Sequence, residues 1–282
     1  MDNILNSIQS YGCLPQQAKV ARYIQIAQSA PQNWFGQQIA QICRRLVLRS
    51  VSFPLDTEVD GIRMRVFLTD NNSEKKYLFM PWRFDLKERE LLARSVPRDG
   101  VFVDIGANIG IYSLWVAKHL SRKGRIVSFE PNPPAFERLK FNVNANSDLR
   151  SPEWPEVICI SKGVSDGLGS LPLFLDPNNL GGSSLVITGT RETTVNIEVV
   201  TLLSELKRLE IDHIDALKID IEGAEEKALL PFLENAERTL LPRLLIMERT
   251  HSETNQLCSK LLELNYEIQL KTKLNFVFKL RK

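Results

Sequence analysis

From residue 101 onward, short apolar runs alternate with segments of helical spacing. That alternation restricts the chain to a mostly parallel sheet covered by helices on both faces. The runs at 101–105, 125–130, 157–160, 216–221 and 244–248 read as strands. Helical patterns lie between them at 111–120, 133–146, 202–209, 224–234 and 253–265. The last two runs, 266–270 and 275–280, have only a short turn between them and must pair antiparallel. The rhythm breaks at 168–200, where a glycine-rich stretch separates two strand-like runs. The expectation is a doubly wound α/β sheet.

The upstream part differs. Residues 1–50 carry helical spacing, with Val20, Tyr23, Ile24 and Ala27 followed by Ile39, Ile42, Leu46 and Val47. Pro15 and Pro31 punctuate two or three amphipathic helices. Over 58–82, Val59, Ile62, Met64, Val66 and Leu68 alternate with polar residues. Asp70-Asn71-Asn72-Ser73 then reads as a turn before Tyr77-Leu78-Phe79, which together suggest a hairpin. A helix at 86–94 leads into the main domain. The division expected is a helical extension over 1–55 and the alternating α/β domain over 56–282.

Composition excludes several classes. Thirty-six basic and 34 acidic residues leave a net charge of +2, too little for a sequence-independent grip on nucleic acid. Cys13, Cys43, Cys159 and Cys258 form no C-x-x-C pair and read as reduced cytosolic thiols. The first residues lack the basic-then-apolar pattern of a signal peptide, and no run approaches a membrane span. A cytoplasmic protein is expected, at most touching a membrane peripherally. The cluster Arg44, Arg45 and Arg49 fits a solvated helix face as well as a membrane or acidic-substrate contact.

The segment 101–110, VFVDIGANIG, runs from a buried strand through a turn with glycines at 106 and 110 into a helix. Gly106 suits a sharp turn with close ligand approach, and Gly110 a tight helix start. A dinucleotide turn would read G-x-G-x-x-G to bind pyrophosphate. Here Asn108 replaces the middle glycine, and Asp104 ends the strand. A carboxylate repels pyrophosphate but attracts the ammonium and sulfonium of S-adenosylmethionine, which favours that ligand over NAD. Glu130 ends the second strand, where a carboxylate can accept both hydroxyls of an adenosine ribose, of NAD and of S-adenosylmethionine alike.

DIGANIG, then SFEPN, then LKIDIEGAE resembles the FkbM family of S-adenosylmethionine-dependent O-methyltransferases, and Gly181-Gly182-Ser183-Ser184-Leu185 resembles a recurrent segment there. The resemblance covers roughly 60–282. It implies a Rossmann-like sheet of seven strands, the last antiparallel, and methyl transfer to oxygen. By this resemblance Asp104, Gly106, Asn108, Gly110 and Glu130 bind the cofactor. Ala107, Pro131, Asn132 and Asp220 fall in the same set, and Gly163 and Val164 line an adenine pocket.

Methyl transfer to a hydroxyl is an in-line displacement that needs positioning and a base. Asp220 and Glu222 end the fourth strand, beside the first, and are candidates for either task; each could instead cap the helix at 224. His251 is the best-placed histidine for a base, whereas His119 and His213 read as structural or exposed. Glu248 ends the fifth strand and ranks below these. The related macrolide-sugar O-methyltransferases hold magnesium at these two strand ends, so Asp220 and Glu248 could contribute to such a site. The paired aspartates of that family's fifth strand are absent, and magnesium is not favoured; no metal ligand is assigned. Arg83, in Trp82-Arg83-Phe84-Asp85, is a candidate for the cofactor carboxylate.

The function expected is methyl transfer to a hydroxyl of a small molecule, a sugar or secondary metabolite. The rivals are an NAD-dependent oxidoreductase and an inactive S-adenosylmethionine-binding scaffold. The partners expected are the hydroxyl acceptor and no nucleic acid; the amphipathic N-terminal helices are compatible with a homodimer.

Overall fold

The computed structural model describes residues 9–51, 53–147, 153–176, 179–185, 194–249 and 254–281. The first described elements are helices α1 (Ala18–Gln28) and α2 (Trp34–Ser50), then a hairpin of β1 (Leu55–Val59) and β2 (Ile62–Val66). Helix α3 (Asn72–Phe79), a 3-10 turn (Pro81–Arg83) and α4 (Leu86–Ser95) follow. The alternating part comprises β3 (Val101–Ile105), α5 (Ile111–Ala117), β4 (Arg125–Phe129), α6 (Pro133–Ser147) and β5 (Glu156–Ile160). Short β6 (Gly163–Val164) and β7 (Gly169–Phe174) precede a 3-10 turn (Leu180–Gly182) and β8 (Thr194–Val200). The chain ends with α7 (Leu202–Arg208), β9 (Ala216–Ile219), α8 (Glu225–Asn235), β10 (Leu244–Glu248), α9 (Thr254–Glu263), β11 (Tyr266–Lys271) and β12 (Asn275–Leu280).

Seven strands form the central sheet in the order β11-β12-β10-β9-β3-β4-β5. Only β12 runs against its neighbours, between β10 and β11; the pairs among β3, β4, β5, β9 and β10 are parallel. This is the doubly wound, Rossmann-like arrangement read from the sequence. From β3 the chain winds outward through β4 to β5, then returns to lay β9 on the other side of β3. The crevice at that reversal, beyond the carboxyl ends of β3 and β9, is where such sheets hold ligands.

Every residue of β3 and β9 is buried, which explains their near-continuous apolar sequence. Alternate residues feed two cores. Phe102, Ile126, Ala216 and Ile246 join one with α5, α6, the hairpin and the N-terminal helices. Val103, Val127, Leu217 and Leu245 join the other with α7, α8 and α9. Helices α1 and α2 thus reach the first core through Val20, Ile24, Ala40, Cys43 and Val47.

One expectation fails. The hairpin turns at Asp60-Gly61, both with positive φ, in the register Val59↔Ile62. Residues 70–79 are not a turn and a strand: the Asn71 side chain accepts the N–H groups of Ser73 and Glu74 and caps α3. A polar cluster before an apolar run serves a helix start as readily as a turn. Tyr77, Leu78 and Phe79 are buried from that helix.

The irregular segment also has order. Strand β8 lies between β7, antiparallel, and β6, parallel, in a small separate sheet. Part of the intervening stretch, 186–193, lies outside the described residues.

Candidate active site

A cavity of about 250 Å³ opens over the carboxyl ends of β3, β4, β9 and β10. Its floor is the turn after β3, where Gly106, Ala107 and Asn108 line it. Gly106 has φ +77, and a Cβ there would collide with the backbone carbonyl of Asp220. The close approach of the end of β9 by itself requires the glycine, and its positive φ is the sharp turn expected from the sequence. Gly110 also has positive φ, and its absent side chain leaves room for Leu139 of α6. It does not line the cavity.

Asp104 likewise sits beneath the floor, fully buried. The cation it meets belongs to this chain: Lys218 Nζ lies 3.7 Å away, and Ser113 Oγ donates to Asp104 at 2.6 Å. The expected role of Asp104, facing a ligand's ammonium or sulfonium, is corrected to holding Lys218. That lysine lines the cavity, pairs with Asp220 at 3.3 Å and donates to the Gly106 carbonyl at 3.0 Å. Burial opposes its charge, but Asp220 and Asp104 outweigh that and raise its pKa. Sequence reading assigned it no role; its position in LKID, opposite Asp104, was the available clue.

Glu130 stands just past β4 and lines the cavity. Its Oε2 accepts the Asn108 N–H at 2.7 Å and its Oε1 accepts the Asn132 N–H at 2.9 Å. Asn108 has φ +52, which asparagine tolerates, so it can follow the glycine without a second glycine. Burial pushes the Glu130 carboxyl up to about 7, against the two N–H donors.

The 3-10 turn at Leu180–Gly182 forms the adjacent wall. Asn132 Nδ2 donates to the Leu180 carbonyl and to Ser183 Oγ. Ser184 Oγ donates to the Glu222 carbonyl at 2.7 Å. A Cβ at Gly181 would press on the Asn108 amide. The run 181–185 thus ties together the turns after β3, β4 and β9. Pro131, Gly163 and Val164 line the same side, next to Leu173 and Leu185.

The opposite side is acidic. Asp220, Glu222 and Glu248 line it. Burial, then the charges of Asp220, Glu222 and Glu225, push Glu248 up to about 8. Neither Asp220 nor Glu222 caps α8: the cap position is Ala224, with no side-chain bond. Glu225 instead turns back to accept the Ile221 and Gly223 N–H groups. Among the described residues no group of three or more His, Cys, Asp or Glu is arranged to hold a metal.

Arg83 is exposed and off the cavity wall; Lys76 of α3, paired with Asp85, occupies the rim instead. His119 packs edge-on against Trp115, and His213 bonds Asp212. His251 lies outside the described residues. No helix among the described residues is long and apolar enough to cross a membrane.

Residues 104–268 match the methyltransferase FkbM domain. The chain is 30% identical over 164 residues to methyltransferase sdnD of Sordaria araneosa, covering 48% of this chain and 61% of that protein. It is 28% identical over 180 residues to hexuronic acid methyltransferase AglP of Haloferax volcanii, covering 64% and 69%. The match to sdnD therefore spans less than two thirds of that relative's length. Among solved structures, the methyltransferase FkbM of Methylobacillus flagellatus aligns with a TM-score of 0.43 and 18% identity, over 75% of this chain and 56% of that one.

Proposed function

Because the chain belongs to the FkbM methyltransferase family, we propose that it transfers a methyl group from S-adenosylmethionine to a hydroxyl of a small molecule, a sugar or secondary metabolite. The observation that carries this reading is the polarity of one cavity. A carboxylate fixed by two backbone N–H groups stands at one end, and Asp220, Glu222 and Glu248 line the other.

The residues suit the cofactor. Glu130 has spare lone pairs for a ribose diol. Asn132 Oδ1 is buried with no hydrogen-bond partner among the described residues and offers a further acceptor. Val164, Leu173 and Leu185 supply apolar walls for an adenine. Asp220 offers negative charge to the cationic end, and Lys76 a cation for the carboxylate. When bound, S-adenosylmethionine supplies a methyl carbon on a sulfonium leaving group. The chain's own residues then hold the acceptor hydroxyl and take its proton. Glu248 is the proton acceptor, since a carboxyl raised to about 8 is far more basic than an ordinary one. Asp220 pairs with Lys218 at the cavity wall. We assign transfer to residues 56–282, treat 1–55 as an extension, and place the reaction in the cytosol.

The test is calorimetry with S-adenosylmethionine and with NAD, followed by a mass-spectrometric screen of hydroxylated metabolites for the gain of one methyl. Binding of NAD alone would move the protein to the oxidoreductases. Binding of S-adenosylmethionine with no acceptor methylated in a broad screen would favour a scaffold.

A further inference from the structure

Helix α2 carries two apolar seams. Gly36, Ala40, Cys43 and Val47 are buried. Phe35, Ile39, Ile42 and Leu46 repeat the same spacing one position earlier, about 100° around the helix. This second seam is uncovered: Phe35 is 68% exposed, Ile42 55%, and the adjoining Trp34 65%. Trp34 and Phe35 pack edge to face, which sets an aromatic pair at the start of the seam. Exposed apolar side chains usually occur singly; a contiguous stripe marks an interaction surface.

The charge says what fits it. Between positions 3 and 55 the chain has Lys19, Arg22, Arg44, Arg45 and Arg49 and no acidic residue. Five positive charges here exceed the +2 of the whole chain. Arg45 and Arg49 are exposed, one helical turn apart, and flank the stripe. A two-fold pairing of α2 with a second copy would crowd these arginines with nothing acidic on either helix. The stripe also offers apolar side chain on the order of 500 Å², short of the roughly 800 Å² per partner of a standard interface.

We infer that α2 docks on an anionic phospholipid surface, its apolar stripe in the acyl boundary and its arginines among the headgroups. Interfacial helices combine these features: an apolar face with Trp, Phe or Leu beside a basic polar face. Tryptophan belongs at that boundary. Helix α2 packs on α3, whose Asn72, Ser73 and Lys76 line the cavity, so the docked face lies one helix from the site.

The full chain is pelleted with sucrose-loaded vesicles of phosphatidylcholine alone or with about 30% phosphatidylserine. Binding to the anionic vesicles is expected to be at least about 10-fold stronger and to weaken as salt rises from about 0.1 to about 0.5 M. Phe35→Glu with Ile42→Glu removes binding, and Arg45→Glu with Arg49→Glu removes the lipid preference. Both variants should unfold at the parent temperature, because the altered side chains are exposed. Failure to pellet with either vesicle overturns the assignment, as does unchanged pelleting of the Phe35 and Ile42 variant. A dimer in sedimentation velocity that dissociates in that variant also overturns it, giving the stripe to a second copy.

Discussion

Lys218 Nζ donates to the Gly106 carbonyl at 3.0 Å while standing 3.7 Å from Asp104 and 3.3 Å from Asp220. One ammonium therefore fastens the end of β9 to the glycine turn after β3. It also joins a fully buried carboxylate to one that reaches the cavity.

Lys218→Met should destabilise the protein by about 3–5 kcal/mol, the usual cost of leaving a buried charge without its partner. Neutralisation of Asp104, whose pKa burial already raises, limits the loss. Adding Asp104→Asn should cost less than the sum of the two single changes. Urea unfolding of the four proteins measures the coupling, and simple additivity would show that the pair does not interact.

Glu130 ties affinity to pH. Its carboxylate form accepts ribose hydroxyls, and burial puts its pKa at about 7. S-adenosylmethionine should therefore bind more tightly as pH rises from about 6 to about 8 and level off above. Glu130→Gln should remove that slope and weaken binding by about 1.5–3 kcal/mol, the usual strength of a charge-assisted hydrogen bond. Titration calorimetry across that range decides it; a parent with no slope would undo the ribose assignment.

Gly106→Ala should act on folding before it acts on ligand. Positive φ costs a side-chain-bearing residue about 1–2 kcal/mol, and the new Cβ meets the Asp220 carbonyl. A drop in unfolding temperature without ligand is expected, deeper still for Gly106→Val. A variant of parental stability that merely loses cofactor would return the glycine to the ligand.

The parallel strands were legible because strands buried on both faces are continuous apolar runs, as VFVDI is in β3. The turn after β3 was legible because its glycines and asparagine fall at fixed offsets along a few residues, although only Gly106, Ala107 and Asn108 of that run reach the cavity, and Asp104 and Gly110 do not. What escaped depends on distance. Lys218 and Asp104 are 114 positions apart and become neighbours only through the pairing of β3 with β9. Glu248 gains its raised pKa from burial first and then from the charges of Asp220, Glu222 and Glu225, which lie on the segment that follows β9. Asp70 to Ser73 misled because turn and helix cap share a composition, and the choice lay in where Asn71 sends its oxygen.

The proton acceptor gives the last prediction. If Glu248 takes the hydroxyl proton, the methylation rate should climb about tenfold per pH unit below its pKa of about 8 and flatten above. Glu248→Gln should abolish that rise. The raised value also has a stability consequence. The folded state favours the protonated carboxyl, so the stabilisation is complete below the ordinary value of 4.5 and is lost as pH rises through about 8. Unfolding free energies at pH 5 and 8 should converge in Glu248→Gln relative to the parent. His251→Ala separates the rival base: a histidine would place the rise nearer pH 6–7, and its loss would flatten the profile with Glu248 intact. A chelator added to the parent closes the set, because a metal-activated hydroxyl would lose its rate and recover it with magnesium. A parent rate already flat between pH 6 and 9, with or without chelator, would remove Glu248 from proton transfer and leave Asp220 and simple positioning to account for the chemistry.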